Sequence, residues 1–357
     1  MIKSKMSKNK NFQRNRSKLF NLQGTNLRES GILLFMVLTV AFFITVSPRF
    51  FTLDSFQVIL GDSAIEIVVA AGMAAVIISR QIDLSVGAIL GIAAYGVGMI
   101  LDGGLHPLIA LCVGVTLGVI MGCINGLVIT KVRVPAIIAT LGMAAIYRGI
   151  LFLFAPKLLG YIINPSQIPP EFRALSSLKI IGIPFITLIA LILAAIIGFL
   201  LSKTPWGRNL YAIGSNPQAA RFAGINADKE VFKAMVLVGA MSGFGGFLYV
   251  MRYANVYVRT GSGMEFSAIA GVVVGGIAIF GGSGRVFGAI LGVLLLNMFS
   301  RGFILMNIPE FWKDVATGIA IIGAILTDSV LAQRRGNRLR WGQRPHIVIE
   351  KKGTSND

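Results

Sequence analysis

The chain of 357 residues is 55% hydrophobic and only 13% charged, with a mean hydropathy of +0.77. Soluble domains carry about 25% charged residues, so this composition excludes an ordinary soluble fold and points to a lipid-solvated one. The formal net charge is +18, but the cations occupy two tails and the short segments between apolar runs rather than one face or helix, which argues against nucleic acid as a partner.

Residues 1–30 hold eight Lys or Arg, and no A-x-A-like cleavage site follows the first apolar run. That first run is therefore expected to stay in the mature chain as a span. Near-continuous apolar stretches of roughly 20 residues, the length a helix needs to cross about 30 Å of hydrocarbon, lie at 31–48, 57–79, 84–101, 107–130, 135–155, 181–201, 232–251, 265–281, 286–306 and 310–327. The expected fold is an all-α integral membrane protein with about ten transmembrane helices. A basic tail over 1–30, a membrane domain over 31–327 and a second basic tail over 328–357 make up its organisation. With the N-terminus in the cytoplasm, the inner segments hold 24 of the 33 Lys and Arg, the bias expected if both termini are cytoplasmic.

The second span contains two acids, Asp62 and Glu66, four residues apart and on one side of a helix. An acid in hydrocarbon needs a partner or water, and Arg301 in the ninth span and Arg148 in the fifth come to matching depths. The expectation is that Asp62 pairs with Arg301 and Glu66 with Arg148, either lining a cavity able to hydrogen-bond a polyol or gluing the bundle. Asn125 and Asn297, amides within the fourth and ninth spans, join these four as candidates for a solute pathway. Asp83-Leu84-Ser85 opens the third span and Glu265-Phe266-Ser267 the eighth. Five is an odd number of spans, so a true repeat would be inverted, five plus five; chance is the alternative.

Cys112 and Cys123 share the fourth apolar run, and His106 and His346 are isolated, so neither a disulfide nor a metal site is implied. In the same run Gly114, Gly118, Gly122 and Gly126 recur every fourth position, and Gly87 with Gly91, Gly239 with Gly243, Gly271 with Gly275 and Gly288 with Gly292 repeat the spacing. Such stripes let helix backbones approach closely in lipid. The polar loop 202–231 is the longest between spans; Asn216 can cap a short helix, Pro217 occupy its first position and Gly224 close it. A capped helix of this kind is either a plain connector or a docking element for a partner's groove. No segment fits G-x-x-x-x-G-K-[ST], so any nucleotide-driven work must come from another subunit, and Gly281-Gly282-Ser283-Gly284 reads as a tight turn.

Ordered motifs then carry a family likeness. Ile82-Asp83-Leu84-Ser85-Val86-Gly87, Asn125-Gly126, Val134-Pro135 through Thr140-Leu141-Gly142, Tyr147-Arg148-Gly149, Tyr211 to Asn216, Gly261-Ser262-Gly263-Met264-Glu265, Gly275-Gly276 and Ile308-Pro309-Glu310-Phe311-Trp312 resemble the permease subunits of ATP-binding-cassette importers for monosaccharides. This is the ribose, xylose, arabinose, rhamnose and autoinducer-2 group, and the likeness runs over about residues 35 to 330. The stretches around Pro169-Pro170-Glu171-Phe172 and Ile308 to Trp312 look closest to the rhamnose and autoinducer-2 permeases. The resemblance implies a transport subunit of the bacterial cytoplasmic membrane that is not itself an enzyme and binds no cofactor, ATP being hydrolysed by a partner. The implied partners are a cytosolic ATP-binding subunit, a second permease copy or paralogue, an extracytoplasmic sugar-binding protein and membrane lipid, with no nucleic acid. It places Gly214, Asn216, Ala219, Ala220 and Gly224 against the ATPase. Rival classes are an ion-gradient-driven secondary transporter, for which only Glu66 offers a mid-membrane titratable group, a receptor or scaffold without flux, and a membrane enzyme.

Overall fold

The computed structural model describes residues 30–153, 161–309, 311–323 and 325–326; the two predicted basic tails, apart from Ser30, lie outside the described residues. Five helices come first: α1 (Ser30–Val46), α2 (Leu53–Ile78), α3 (Val86–Asp102), α4 (Pro107–Thr130) and α5 (Ala136–Leu153). A short strand β1 (Tyr161–Ile163), helix α6 (Pro170–Ser177) and a tight pairing of β2 (Lys179–Ile180) with β3 (Ile183–Pro184) lead into α7 (Phe185–Lys203). Then come α8 (Pro205–Ser215), α9 (Pro217–Phe222), α10 (Ala227–Tyr253), strand β4 (Val256–Tyr257), α11 (Met264–Val274), α12 (Val286–Leu305) and α13, residues 311–323. Each predicted apolar run overlies a helix, and among the described residues six of these, α2, α4, α5, α7, α10 and α12, are long and apolar enough to cross a membrane, while α1, α3 and α11 are shorter apolar helices. The chain is an all-helical, multi-pass membrane protein.

The bundle is built around α2 and α10. Thr52 caps α2 by accepting a hydrogen bond from the Ser55 N–H at 3.2 Å, and from Ser63 to Ile78 every residue of α2 is buried. From Ile67 to Ile78 the helix is apolar on all sides, and such a helix is buried at the centre rather than turned to lipid by one face. Helix α10 crosses beside it, started by the Asn226 side chain on the Lys229 N–H and ended at Ala254 in a left-handed conformation. The glycine stripes meet each other. A Cβ on Gly118 would collide with the Gly239 carbonyl and lie 2.9 Å from the Gly243 Cα, while one on Gly122 would lie 2.6 Å from the Met235 carbonyl. Gly271 and Gly275 meet Gly292 and Gly288 in a second seam, between α11 and α12. Lipid tails supply no hydrophobic drive for helix association, so close backbone packing must do it.

The eighth predicted span needs correcting. Residues 265–281 do not form one crossing helix: α11 stops at Val274, and its 11 residues cover only about 16 Å, roughly half the hydrocarbon thickness. Residues 275–285 turn instead, with Gly276, Gly281, Gly282 and Gly284 at positive φ. Hydropathy misses this because Ile277 in the turn is as buried as Val272 and Val273 in the helix before it. The preceding segment, 254–263, is also irregular, and at Gly261 (φ +75°) the backbone touches the Gly87 carbonyl, a contact only a residue without Cβ can make. The first turns of α3 and α11 are thereby brought together, with a Cβ on Gly87 meeting the Glu265 carboxylate. The two openings that the inverted repeat would relate are spatial neighbours.

Two alanine substitutions separate packing from propensity. Gly118→Ala should destabilise the chain by about 1–3 kcal/mol through overpacking, whereas Gly149→Ala, with open space around its Cβ, should stabilise α5 by about 0.5–1 kcal/mol. Thermal unfolding of the two variants in one detergent checks the opposite signs.

Candidate functional site

The intramembrane acids are partnered, but not as the sequence suggested. Asp62 accepts from Arg252 Nε at 3.1 Å and Nη2 at 3.0 Å, with the Tyr253 hydroxyl donating at 3.3 Å. Glu66 accepts from Asn297 Nδ2 at 2.7 Å and forms an ion pair with Lys313 Nζ at 3.2 Å. Arg301 instead reaches the start of α2, donating from Nε to Ser55 Oγ at 3.1 Å and lying 3.8 Å from Asp54. Among the described residues Arg148 has no acid side chain within ion-pairing distance; its Nη1 donates to the Thr260 carbonyl at 2.6 Å and the Val258 carbonyl at 3.2 Å. The expected Asp62–Arg301 and Glu66–Arg148 pairs are thus replaced. The reason lies in helix geometry: Asp54, Asp62 and Glu66 are eight and four residues apart, which at about 100° per residue spreads them over roughly 120° of α2. They therefore face three different neighbours, α12, α10 and α13. Of the predicted candidates Glu66 and Asn297 are brought together, and the structure adds Arg252 beside Asp62 and Lys313 beside Glu66. Lone cations near the ends of apolar runs were the available signal for those two.

Asn125 belongs elsewhere. It is wholly buried, and its Nδ2 donates to Ser85 Oγ at 2.7 Å and Asp83 Oδ2 at 3.3 Å, while the Tyr147 hydroxyl lies 3.1 Å from its Oδ1. Asp83 Oδ1 in turn accepts from the Ser85 N–H at 2.8 Å and its hydroxyl at 2.6 Å, and Thr140 Oγ1 accepts from the Leu84 N–H at 3.0 Å. The Asp83-Leu84-Ser85 opening of α3 is thereby locked to α4 and α5 by groups that satisfy one another, as buried polar atoms must.

At the end of the bundle carrying the basic segments around residues 80, 131–133 and 203–233, α8 and α9 form a base. The Asn216 side chain accepts from the Ala219 N–H at 3.0 Å, Pro217 is the first helical residue, and Gly224 follows at φ +77°, which is the capped helix read from the sequence. Helix α8 is clamped from above: a Cβ on Gly214 would collide with the Ile78 carbonyl, the Gly282 N–H donates to that carbonyl at 2.9 Å, and the Tyr211 hydroxyl donates to the Gly284 carbonyl at 2.8 Å. Burial pushes the Tyr211 pKa up, against the opposing charge of Arg285, so the hydroxyl keeps its proton. Of the five residues expected to meet a partner, Asn216, Ala219 and Gly224 are exposed, but Gly214 and Ala220 are buried within the chain itself. They seat the base rather than face outward. The exposed surface of α9 instead carries Phe222, 92% exposed, a large apolar side chain in a polar loop that the sequence reading passed over.

Comparison with known proteins agrees with this architecture. Residues 55–325 match the family described as branched-chain amino acid transport system / permease component. The autoinducer 2 import system permease protein of Yersinia pseudotuberculosis serotype O:1b is 34% identical over 338 residues, covering 93% of this chain and 95% of the relative. Its namesakes in Yersinia pestis (strain Pestoides F) and Yersinia enterocolitica serotype O:8 are 33% and 34% identical over the same share of this chain, covering 95% and 92% of their own lengths. No solved structure matches the chain at a significant level. The apolar helices, the ordered motifs and these relatives lead to one conclusion: the chain belongs to this permease family and is a permease of the monosaccharide type found in ATP-binding-cassette importers.

Proposed function

We propose that the chain forms the transmembrane pathway for a sugar-like solute, a pentose, a rhamnose-type hexose or autoinducer-2, and is driven by ATP hydrolysis on a separate cytosolic subunit. The observation that carries this reading is α9, a short capped helix seated on a rigid base with Phe222 turned outward. Large exposed apolar groups mark contact sites, and aromatic anchors dominate binding energy when a partner buries them. In this reading the basic end faces the cytosol and the chain crosses the membrane several times, with α11 reaching only part of the way across; the positive-inside bias supports the orientation. An extracytoplasmic binding protein delivers the solute, and a second permease copy or paralogue completes the channel. The chain supplies no ATP site and needs no cofactor.

Solute passes beside the polar groups of α2 and their partners. Asp62, Glu66, Asn297 and Arg301 offer fixed donors and acceptors for which hydroxyls can exchange, while Asn125 and Arg148 hold the surrounding backbone in place. ATP-driven closure of the partner subunits moves α9; α9 moves α8, and α8 acts through Gly214 on the end of α2 and the 281–284 turn.

Two outcomes test this. Phe222→Ala should lower uptake by roughly tenfold or more in reconstituted complexes by weakening ATPase attachment, measured as uptake and as co-purification of the ATPase subunit; full uptake would count against docking through α9. Lys313→Met leaves the Glu66 carboxylate, 7% exposed, without its cation and should cost about 3–5 kcal/mol of stability. The double variant Glu66→Gln with Lys313→Met should recover most of that stability. If these groups line the pathway, the double variant stays deficient in uptake; normal uptake would make the pair structural only.

A further inference from the structure

A second constellation lies at the basic end. Three separate segments enclose a cavity of about 420 Å3: the turn after α2, the turn joining α4 to α5, and α9 with the start of α10. Arg80, Arg133 and Arg221 line it, one from each segment, together with Gln81, Gln218 and the carboxylate of Asp228. The three guanidinium groups are on exposed residues and make no hydrogen bond or ion pair among the described residues. Arginine on a cytosolic face is expected from charge bias alone, but the backbone here adds something that bias does not explain. Arg80 and Arg133 stand at φ +65° and +64°, each just past the C-terminus of a long helix, where glycine is the residue of least strain. At both places the chain carries an arginine instead, and both residues line the same recess.

We infer that this cavity binds a compact phosphate-bearing anion, the phosphate being either that of a free cytosolic solute or that of a lipid headgroup. Its volume lies within the range of small-ligand sites, and the guanidinium fork matches phosphate oxygens in bidentate fashion. Gln81 and Gln218 add neutral donors, and Asp228 leaves room for one cationic or hydroxyl group on the ligand. A ligand bridging Arg221 to Arg80 and Arg133 would tie α9 to the ends of α2 and α4. Any restraint this places on transport rests on the coupling reading above, whereas the binding itself does not.

The test uses the full chain in nanodiscs, comparing wild type with the double variant Arg80→Gly and Arg133→Gly. Glycine suits both backbone angles, so the variant should melt no lower than wild type without anion. In phosphatidylcholine discs, inorganic phosphate at constant ionic strength should raise the melting temperature of wild type and slow hydrogen exchange in residues 216–224; the variant should bind about tenfold or more weakly, having lost charge-assisted bonds. If free phosphate has no effect but phosphatidylglycerol discs stabilise wild type and not the variant, the site stands and its phosphate is a headgroup. Should the variant melt lower without anion, Arg221→Gln on the exposed face of α9 replaces it in the comparison. An absent response to both sources, or an equal response in wild type and variant, overturns the proposal.

Discussion

Inside hydrocarbon no water is available to hydrogen-bond a freed N–H or C=O, so every departure from helix must be answered by protein atoms. This constraint organises the molecule. The irregular segments at 79–85, 254–263 and 275–285 are each met by a specific donor or acceptor. Thr140 takes the Leu84 N–H, Arg148 holds the Val258 and Thr260 carbonyls, Tyr211 reaches the Gly284 carbonyl, and Gly282 bonds to the last turn of α2. Glycine seams then let the flanking helices approach closely enough for these bonds to form. Remove the close approach and the irregular segments lose their partners.

Those breaks shorten α11 to half a crossing and leave its first turn against that of α3. Breaks of this kind give a helical bundle places where it can flex without exposing backbone to lipid. The charges follow similar logic. Three acids on α2 are matched by Arg301, Arg252 and Lys313 from three different helices, so α2 is held electrostatically as well as by packing. A carboxylate buried without such a partner would be strongly disfavoured.

Much of this was legible in the sequence, and the failures have physical causes. Run lengths located the helices because hydrocarbon thickness fixes how many apolar residues a crossing needs. Asn216, Pro217 and Gly224 predicted the ends of α9 because capping is local chemistry. The four-residue glycine spacing announced close packing, and the structure added which stripes meet. The ion pairs failed because their partners are separated by 190 residues for Asp62 and 247 for Glu66, and depth alone cannot choose among cations when helix rotation is unknown. The half-length of α11 was invisible because hydropathy scores a buried turn and a buried helix alike. Gly214 and Ala220 were placed against a partner by the family resemblance, which carries over whole motifs, whereas the small side chains at these two positions let α8 and α9 seat against the bundle.

The path from α9 through α8 to Gly282 and the end of α2 is continuous and short, which makes it the natural lever for a motor lying outside the chain. A cysteine placed at residue 222 and treated with a membrane-impermeant maleimide examines that lever most directly. The account predicts labelling in inverted vesicles but not in intact cells, and protection when the purified ATPase subunit is added. Labelling from the cell exterior, or labelling that the ATPase subunit leaves unchanged, would contradict it.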